Sequence, residues 1–152
     1  MRRIYTLLGL FLFSLTATNF VFSQDVLWEK TYGGLQSDYL FDIHPTADYG
    51  FLLAGSSLSG KSGNKQDHRI NDLDFWLWKM DEHGNLDWQR SFGGDGSDFL
   101  YSVAGTIDGG FILGGSSTSG EGFSKKEDSR GKEDLWIIKL DAKGDEQWQQ
   151  AD

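Results

Sequence analysis

Aspartate residues recur at a fixed spacing along this chain, and their carboxylates are its most obvious candidates for a chemical role. Carboxylate oxygens in loops are the ligands that Ca²⁺ prefers. However, the chain has no Asp-x-Asp-x-Asp-Gly loop with a distal Glu, so the spacing does not specify a calcium site. We predict that Asp38 and Asp98, and Asp81 and Asp141, accept hydrogen bonds from backbone amides in turns, with calcium binding as the alternative. Asp74 and Asp134 are the third recurring pair.

Catalysis has little support in the residue types present. The chain has no Cys, its His residues do not recur, and no Lys-Ser or Lys-Thr follows the Gly pairs to make a phosphate loop. A hydrolase would need a pocket of clustered carboxylates, which the sequence does not specify. We therefore predict a non-catalytic protein with no catalytic, cofactor-binding or metal-ligating residues and no cofactor. The His residues are His44, His68 and His83.

Tryptophan could either stack on sugar rings or pack a core, and the chain has six of them. Trp76 and Trp136 lie inside apolar runs at repeating positions, as do Trp28 and Trp88. This placement favours packing between neighbouring sheets over carbohydrate binding. Trp78 shares a strand face with Trp76, so we expect both to pack against a neighbouring unit.

The first 23 residues are typical of a secretory signal peptide. Two Arg residues precede the apolar run 4–15, and Val21 and Ser23 suit cleavage before Gln24. An uncleaved membrane anchor is the alternative, but polar residues dilute the second half of the run. We predict an exported protein, secreted, at the cell surface or periplasmic, with no membrane insertion after cleavage.

The remaining chain is strongly acidic. Without Arg2 and Arg3, twelve basic side chains oppose 23 acidic ones, a net charge of −11. Such a surface repels phosphate backbones, so the sequence argues against nucleic acid as a partner. Because there is no Cys, stability must come from packing and not from disulfides.

The chain repeats itself with a period of 60 residues. Trp28, Trp88 and Trp148 align without a gap, and about 22 of the 60 positions that pair between the first two copies are identical. A fixed period of this length is typical of stacked repeat architectures. The predicted divisions are a signal peptide 1–23, repeat 1 at 24–87, repeat 2 at 88–147 and the start of a third repeat at 148–152.

Each repeat contains four short apolar runs separated by Gly, Asp and Ser, with no sustained helical periodicity. This pattern predicts an all-β fold of antiparallel strands covered on both faces. We expect tight turns at 48–50 and 81–85, with positive φ at Gly, and exposed, mobile loops at 57–72 and 117–133. The predicted strands are 28–32, 39–44, 51–54 and 75–80, matched by 88–92, 99–105, 111–114 and 135–140.

Four antiparallel strands in about sixty residues are typical of a β-propeller blade. Propellers close with about four to eight blades, whereas this sequence supplies two blades and the first strand of a third. We therefore expect an incomplete propeller. Either the chain is a fragment of a longer protein, or several copies form one ring, for example three two-blade chains.

Three segments resemble the blade repeats of bacterial secreted and cell-surface β-propeller proteins: 88–98 (WQRSFGGDGSD), 108–117 (DGGFILGGSS) and 134–141 (DLWIIKLD). The resemblance covers nearly all of the chain after the predicted signal peptide. It implies a propeller fold with no general catalytic role, often in longer runs that precede a C-terminal sorting domain. This chain departs from the pattern, because the register calls for an aromatic residue at 152 followed by Gly-Gly, so we expect a truncated two-blade form.

These observations predict a structural or interaction module. We expect its long loops to meet an extracellular protein partner. The alternative is a carbohydrate-binding protein that completes a propeller by forming a homo-oligomer.

Overall fold

The computed structural model describes residues 25–68 and 70–152, and the predicted signal peptide lies outside the described residues. The described chain is all-β, as predicted, and forms two four-stranded antiparallel sheets whose strands follow chain order. Sheet 1 consists of β1 (Asp38–Pro45), β2 (Phe51–Ser57), β3 (Asp74–Met80) and β4 (Leu86–Phe92). Sheet 2 consists of β5 (Asp98–Gly105), β6 (Phe111–Ser117), β7 (Asp134–Leu140) and β8 (Glu146–Ala151).

One predicted strand, 28–32, is wrong. These residues belong to neither sheet, whereas the equivalent residues of the next repeat form β4, which pairs with β3. Likewise β8, predicted as the first strand of a third repeat, pairs with β7 as the fourth strand of sheet 2. The Trp-containing segment therefore completes the sheet that precedes it. Residues 28–32 have no preceding sheet within the described chain, so they have no ladder to join.

The core lies between the two sheets. Side chains alternate along β3, so that Phe75 and Leu77 point towards sheet 2 while Trp76 and Trp78 point away from it. The rings of Phe75 and Trp136 meet across the interface with centroids 4.9 Å apart. The central cluster comprises Leu52, Ala54, Phe75, Leu77, Phe92, Leu100, Val103, Phe111, Leu113, Trp136, Ile138, Leu140 and Ala151.

Polar contacts fix how sheet 2 sits on sheet 1. The Leu100 amide donates to Ser56 Oγ at 2.9 Å, and the Val103 amide donates to Asp42 Oδ2 at 2.9 Å. The amide of Asp98 donates to the Leu73 carbonyl at 2.6 Å. These bonds are spread along β5, at Asp98, Leu100 and Val103, so they set its position along the face of sheet 1 as well as satisfying backbone amides.

The turn between β1 and β2 has the predicted positive φ, but at an unexpected residue. Tyr49 has a φ of 64°, whereas its counterpart in the second repeat is Gly109, with a φ of 81°. In the long loops the glycine is in the first repeat instead, where Gly63 has a φ of 54°, and its counterpart Phe123 has a φ of 53°. At these two positions each repeat thus has one glycine and one bulky aromatic residue, while the turns at Gly84 and Gly144 have glycine in both repeats.

The long loops are only partly exposed, which corrects the expectation that they are exposed throughout. Ser59 and Lys65 in the first loop are buried, as are Ser119 and Lys125 in the second. Short antiparallel bridges join Ser62 to Lys65 and Gly122 to Lys125. Ser59 and Lys65, like their equivalents, are therefore folded against the end of their sheet, while other loop residues such as Phe123 face solvent.

Candidate interaction surfaces

Asp38, Asp81 and their equivalents accept hydrogen bonds from backbone amides in turns, as predicted. Asp38 Oδ2 accepts from the Gly34 amide at 2.7 Å, and Asp98 Oδ2 accepts from the Gly94 amide at 2.8 Å. Asp81 Oδ1 accepts from two amides of the β3–β4 turn, at 2.9 and 2.7 Å. Asp74, Asp134 and Asp141 also accept amide hydrogen bonds. In residues 25–68 and 70–152 no group of three His, Asp or Glu side chains could hold a metal ion.

A serine and glycine network surrounds the aspartate at the start of each sheet. In sheet 2, Asp98 is buried and accepts from the Ser119 hydroxyl at 3.0 Å. Burial raises the pKa of Asp98, although bonds from Ser117, the Gly94 amide and Ser119 oppose the shift. The arrangement ties the Gly-Gly turn, the strand start and the loop start together, which is a structural role.

A buried lysine in each sheet joins the turn between its first two strands to the start of its fourth strand, a role not predicted from the sequence. Lys79 Nζ lies 2.8 Å from Asp48 Oδ2 and 3.0 Å from Asp87 Oδ2. In the second repeat Lys139 Nζ lies 2.8 Å from Asp108 Oδ2 and 3.0 Å from the oxygen of Gln147. The hydrogen bond from Lys79 is the main cause that lowers the pKa of Asp48 to about 2.

A second buried lysine anchors each long loop. Lys125 Nζ donates to the Ser119 carbonyl at 2.6 Å. Lys65 Nζ instead lies over the Trp76 ring, 5.5 Å from its centroid, and burial lowers the pKa of Lys65. The sequence contained the necessary indication, since Lys65 and Lys125 are 60 residues apart, but spacing alone does not show that an ammonium group is buried.

The His residues lie on separate elements, with His44 in β1, His68 in the first long loop and His83 in the β3–β4 turn. The His44 ring packs edge-on against Phe111, with centroids 6.2 Å apart. The His83 side chain is largely exposed and lies 3.9 Å from Glu82. His44 thus has a packing role between the sheets.

The face of sheet 1 that points away from sheet 2 is an open apolar surface, here called the leading face. It consists of Leu40, Phe51, Leu53, Trp76 and Trp78 and borders a groove of about 490 Å³. Its incomplete cover shows in Leu40, which is 55% exposed, while the equivalent Leu100 is fully buried between the sheets. The leading face has the composition of a sheet interface without a second sheet on it.

The opposite end of the stack is also open. The face of sheet 2 that points away from sheet 1, here called the trailing face, consists of Ile112, Gly114, Leu135 and Ile137. Leu135 is 66% exposed and Ile137 is 37% exposed, whereas the equivalent residues of sheet 1, Phe75 and Leu77, are fully buried. Exposed apolar surfaces of this kind mark sites of association.

Residues 28–32, here called the N-terminal segment, cover one edge of the leading face. The Tyr32 ring lies on Trp78 with centroids 4.4 Å apart, and its hydroxyl donates to the Gly84 carbonyl at 2.6 Å. Trp28 Nε1 donates to the Glu82 carbonyl at 3.0 Å, and Lys30 Nζ donates to the Gly84 carbonyl at 3.0 Å. Side chains therefore hold the segment on the β3–β4 turn.

Aromatic side chains form a continuous strip along the first strand of each sheet. This aromatic strip consists of Tyr39, Phe41, Tyr101 and Phe99, with neighbouring ring centroids 6.0 to 6.2 Å apart. Tyr39 and Phe41 are each 46% exposed and Tyr101 is 52% exposed. These four rings were not among the residues considered for sugar stacking from the sequence, which were all Trp.

The Trp residues have different environments. Trp136 is fully buried between the sheets and Trp88 packs against the same cluster, which confirms the packing prediction for both. Trp76 and Trp78 are buried on the leading face, with centroids 5.8 Å apart. Lys65 lies over Trp76 and Tyr32 lies on Trp78, so no neighbouring sheet covers them. Trp28 is 39% exposed and lies outside both sheets.

Comparison of the chain with models of known protein families gave no match, and comparison with curated proteins gave none either. In the part of the chain that the structure describes, no helix has the length and hydrophobicity needed to cross a membrane.

Proposed function

We propose that this protein is a non-catalytic, exported structural or interaction module, which works by packing its open sheet faces against further sheets. The observation that carries the proposal is the pair of apolar faces at the two ends of the stack. Each repeats the composition of a face that is buried in the internal interface. A sheet surface with Leu40 or Leu135 more than half exposed is more favourable when another apolar surface covers it.

The same geometry supports the proposal that the sheets are blades of an incomplete β-propeller. Both are four-stranded meanders, and they stack face to face in chain order with equivalent registers. Successive blades of a propeller are related in this way. Export, to the cell surface or beyond, is part of the proposal and is supported by the N-terminal sequence.

The long loops offer a further contact for a protein partner. Phe123 lies in the second loop, is 74% exposed and has a positive φ, which is unfavourable for a bulky side chain. Strained residues of this kind are concentrated at functional positions. We expect the second loop to contribute to partner binding more than the first, which has Gly63 at this position.

The solution mass of the purified protein tests the proposal, measured by light scattering after size-exclusion chromatography with circular dichroism on the same peak. We expect a β-rich spectrum and a mass above that of one chain. The double variant Leu40→Asp/Leu135→Asp, which changes two exposed side chains, should keep the spectrum and reduce the mass to one chain. A folded wild-type protein that has the mass of one chain at every concentration would contradict the proposal.

Carbohydrate binding is the second candidate function, and the aromatic strip favours it. Exposed aromatic faces in a row suit stacking against the apolar faces of sugar rings, because the rings are rigid and already partly desolvated. A glycan panel followed by calorimetry tests this function. Tyr39→Ala and Tyr101→Ala should each weaken binding, whereas Tyr49→Ala, which changes an 81% exposed Tyr outside the strip, should not. A folded protein that binds no glycan in the panel excludes this candidate.

A further inference from the structure

The internal interface between the two sheets is a template for a contact that the chain can make with a second copy of itself. One side of the template is the face of sheet 1 that carries Phe75 and Leu77. The other side is the face of sheet 2 that carries Phe111, Leu113 and Trp136. A shift of 60 residues turns the first side into the trailing face and the second into the leading face. Both halves of the same kind of interface are thus present, unpaired, on one chain.

The apolar contacts of the internal interface have equivalents of similar size in a contact between two copies. The internal contact of Phe75 with Trp136 corresponds, between copies, to a contact of Leu135 with Trp76 of the second copy. Ile112 takes the place that Leu52 has in the internal interface. Ala54 becomes Gly114, at which an added Cβ would have no atom within 4 Å, so this position leaves room for the large Trp78. The substitutions keep the surface apolar while the trailing face becomes slightly smaller.

One polar contact of the template also has an equivalent between two copies. Ser56 Oγ accepts from the Leu100 amide in the template, and the equivalent groups are Ser116 Oγ and the Leu40 amide. Asp42 accepts from Ser102 in the template at 3.1 Å. Ser102 and Asp42 stay paired within each chain, so the hydrogen bond predicted between copies is the one from the Leu40 amide to Ser116 Oγ.

One position is contested. In the template, the Trp88 ring packs on Gly144, and Arg90 Nη2 donates to Asp145 Oδ1 at 3.0 Å and to the Lys143 carbonyl at 3.2 Å. In a contact between two copies, Trp148 of the second copy would pack in the same way on Gly84 in the β3–β4 turn of sheet 1. The N-terminal segment already occupies this place on the turn.

The two competitors are held with different strength. β8 is part of a hydrogen-bonded ladder with β7, whereas the N-terminal segment is held on the turn by the side chains of Trp28, Lys30 and Tyr32. Displacing a strand from its ladder leaves several backbone groups to be satisfied by water, so the segment is the easier of the two to displace.

From these contacts we infer that the leading face of one copy binds the trailing face of a second copy, head to tail, and that the N-terminal segment opposes this contact by occupying the place of the incoming Trp148. The inference rests on the proposed function and identifies the partner as a second copy of this chain. Because the two contacting surfaces differ, the association is heterologous and adds copies in one direction, towards a ring or a filament.

Complementary variants test the direction of the contact. Leu40→Asp disables the leading face and Leu135→Asp disables the trailing face, and each variant alone should have the mass of one chain. An equimolar mixture should form a complex of two chains and no larger species, because only one intact pair of faces remains. Ile107→Asp, at a fully exposed position in the β5–β6 turn, is the matched control and should associate like the wild type.

The role of the N-terminal segment has a separate test. Tyr32→Ala removes the ring that covers Trp78 and the hydrogen bond to the Gly84 carbonyl. The protein concentration for half-maximal association should therefore fall by about tenfold. This factor corresponds to the loss of one hydrogen bond of about 1.4 kcal/mol. Leu27→Ala changes a 92% exposed neighbour and should have no effect. An unchanged or higher concentration for Tyr32→Ala would overturn the competing role of the segment.

The outcomes separate this inference from the proposed function. If the wild type associates and the double variant does not, but the mixture of single variants fails to form a complex of two chains, the proposed function stands and the head-to-tail contact is wrong. If a single variant associates with itself, the contact joins two like faces and the inference is also overturned. If the folded wild type has the mass of one chain throughout, both fail.

Discussion

Tyr49 is the clearest example of a single residue whose conformation is unfavourable in the folded chain. Its side chain is 81% exposed and its φ is 64°, a region that a bulky residue rarely adopts. The second repeat has Gly109 in the same turn at a φ of 81°. The turn therefore needs a left-handed residue, and the first repeat adopts that conformation without glycine.

We predict that Tyr49→Gly raises the free energy of unfolding by about 1 kcal/mol, because glycine relieves the strain at positive φ without the loss of a buried contact. Denaturant unfolding followed by circular dichroism measures the change. Gly109→Ala is the reverse control and should lower stability by a similar amount, since an added Cβ there has nothing within 4 Å and only backbone strain changes. Equal stabilities for all three proteins would show that the turn tolerates either residue.

The Asp48–Lys79 pair makes the free energy of unfolding depend on pH in the acidic range. The folded state lowers the pKa of Asp48 to about 2, mainly through the hydrogen bond from Lys79, while an unfolded Asp titrates near about 3.9. The pair therefore stabilises the fold fully above about pH 4, and this contribution is lost as the pH falls through about 2. Asp48 is 59% exposed, so water screens the interaction.

We predict that Asp48→Asn lowers the free energy of unfolding at pH 6 by about 1 kcal/mol or less, the range of screened ion pairs. The difference from the wild type should shrink steadily between about pH 4 and pH 2, as the wild-type carboxylate becomes protonated. Urea unfolding at a series of pH values provides the measurement, with Glu121→Gln as an exposed control. A difference that does not vary with pH would assign the effect to packing.

At the scale of the elements, the sheets depend on a close approach between neighbouring strands. A Cβ on Gly115 of β6 would lie 2.1 Å from the Phe99 carbonyl oxygen of β5 and 2.5 Å from the Phe75 ring. This is the place where the β5–β6 register shifts between Leu100 and Ser102. Gly114, one residue earlier in β6, has open space instead.

We predict that Gly115→Ala lowers the free energy of unfolding by about 1–3 kcal/mol, because the backbone of β5 must move to admit the methyl group. Gly114→Ala should instead be neutral or stabilising by about 0.5 kcal/mol, since alanine reduces the entropy of the unfolded chain and the equivalent residue in β2 is Ala54. Thermal unfolding of the two neighbouring variants gives a direct comparison. Equal effects at both positions would contradict the geometry.

At the scale of the whole molecule, the two repeats differ because their equivalent faces meet different surroundings. Phe75 is fully buried against sheet 2, while its equivalent Leu135 is 66% exposed on the trailing face. One repeat position therefore contributes to the core in sheet 1 and to an open surface in sheet 2.

We predict that Phe75→Ala lowers the free energy of unfolding by about 3–5 kcal/mol, through lost burial and the cavity left beside Trp136. Leu135→Ala should change it by no more than about 0.5 kcal/mol at concentrations where the protein has the mass of one chain. Unfolding at low and high protein concentration measures both. A large effect of Leu135→Ala at low concentration would show that the trailing face is covered within a single chain.

Much of the fold could be predicted from residue patterns. The 60-residue period, the Gly-containing turns and the apolar runs located every strand of the two sheets, and the amide-accepting roles of Asp38, Asp81 and their equivalents were predicted from local turn chemistry. These features are local or periodic, so they leave a direct trace in the order of the residues.

Only the tertiary structure decided which strands share a sheet and which faces are open. The segment 28–32 and β4 have similar residues, yet only β4 becomes a strand, because a ladder needs the edge of a preceding sheet. The burial of Lys65, the exposure of the aromatic strip and the contrast between Phe75 and Leu135 likewise depend on neighbours distant in the chain. The sequence determined the repeated unit, and the number and order of units in contact determined which of its surfaces remain available for binding.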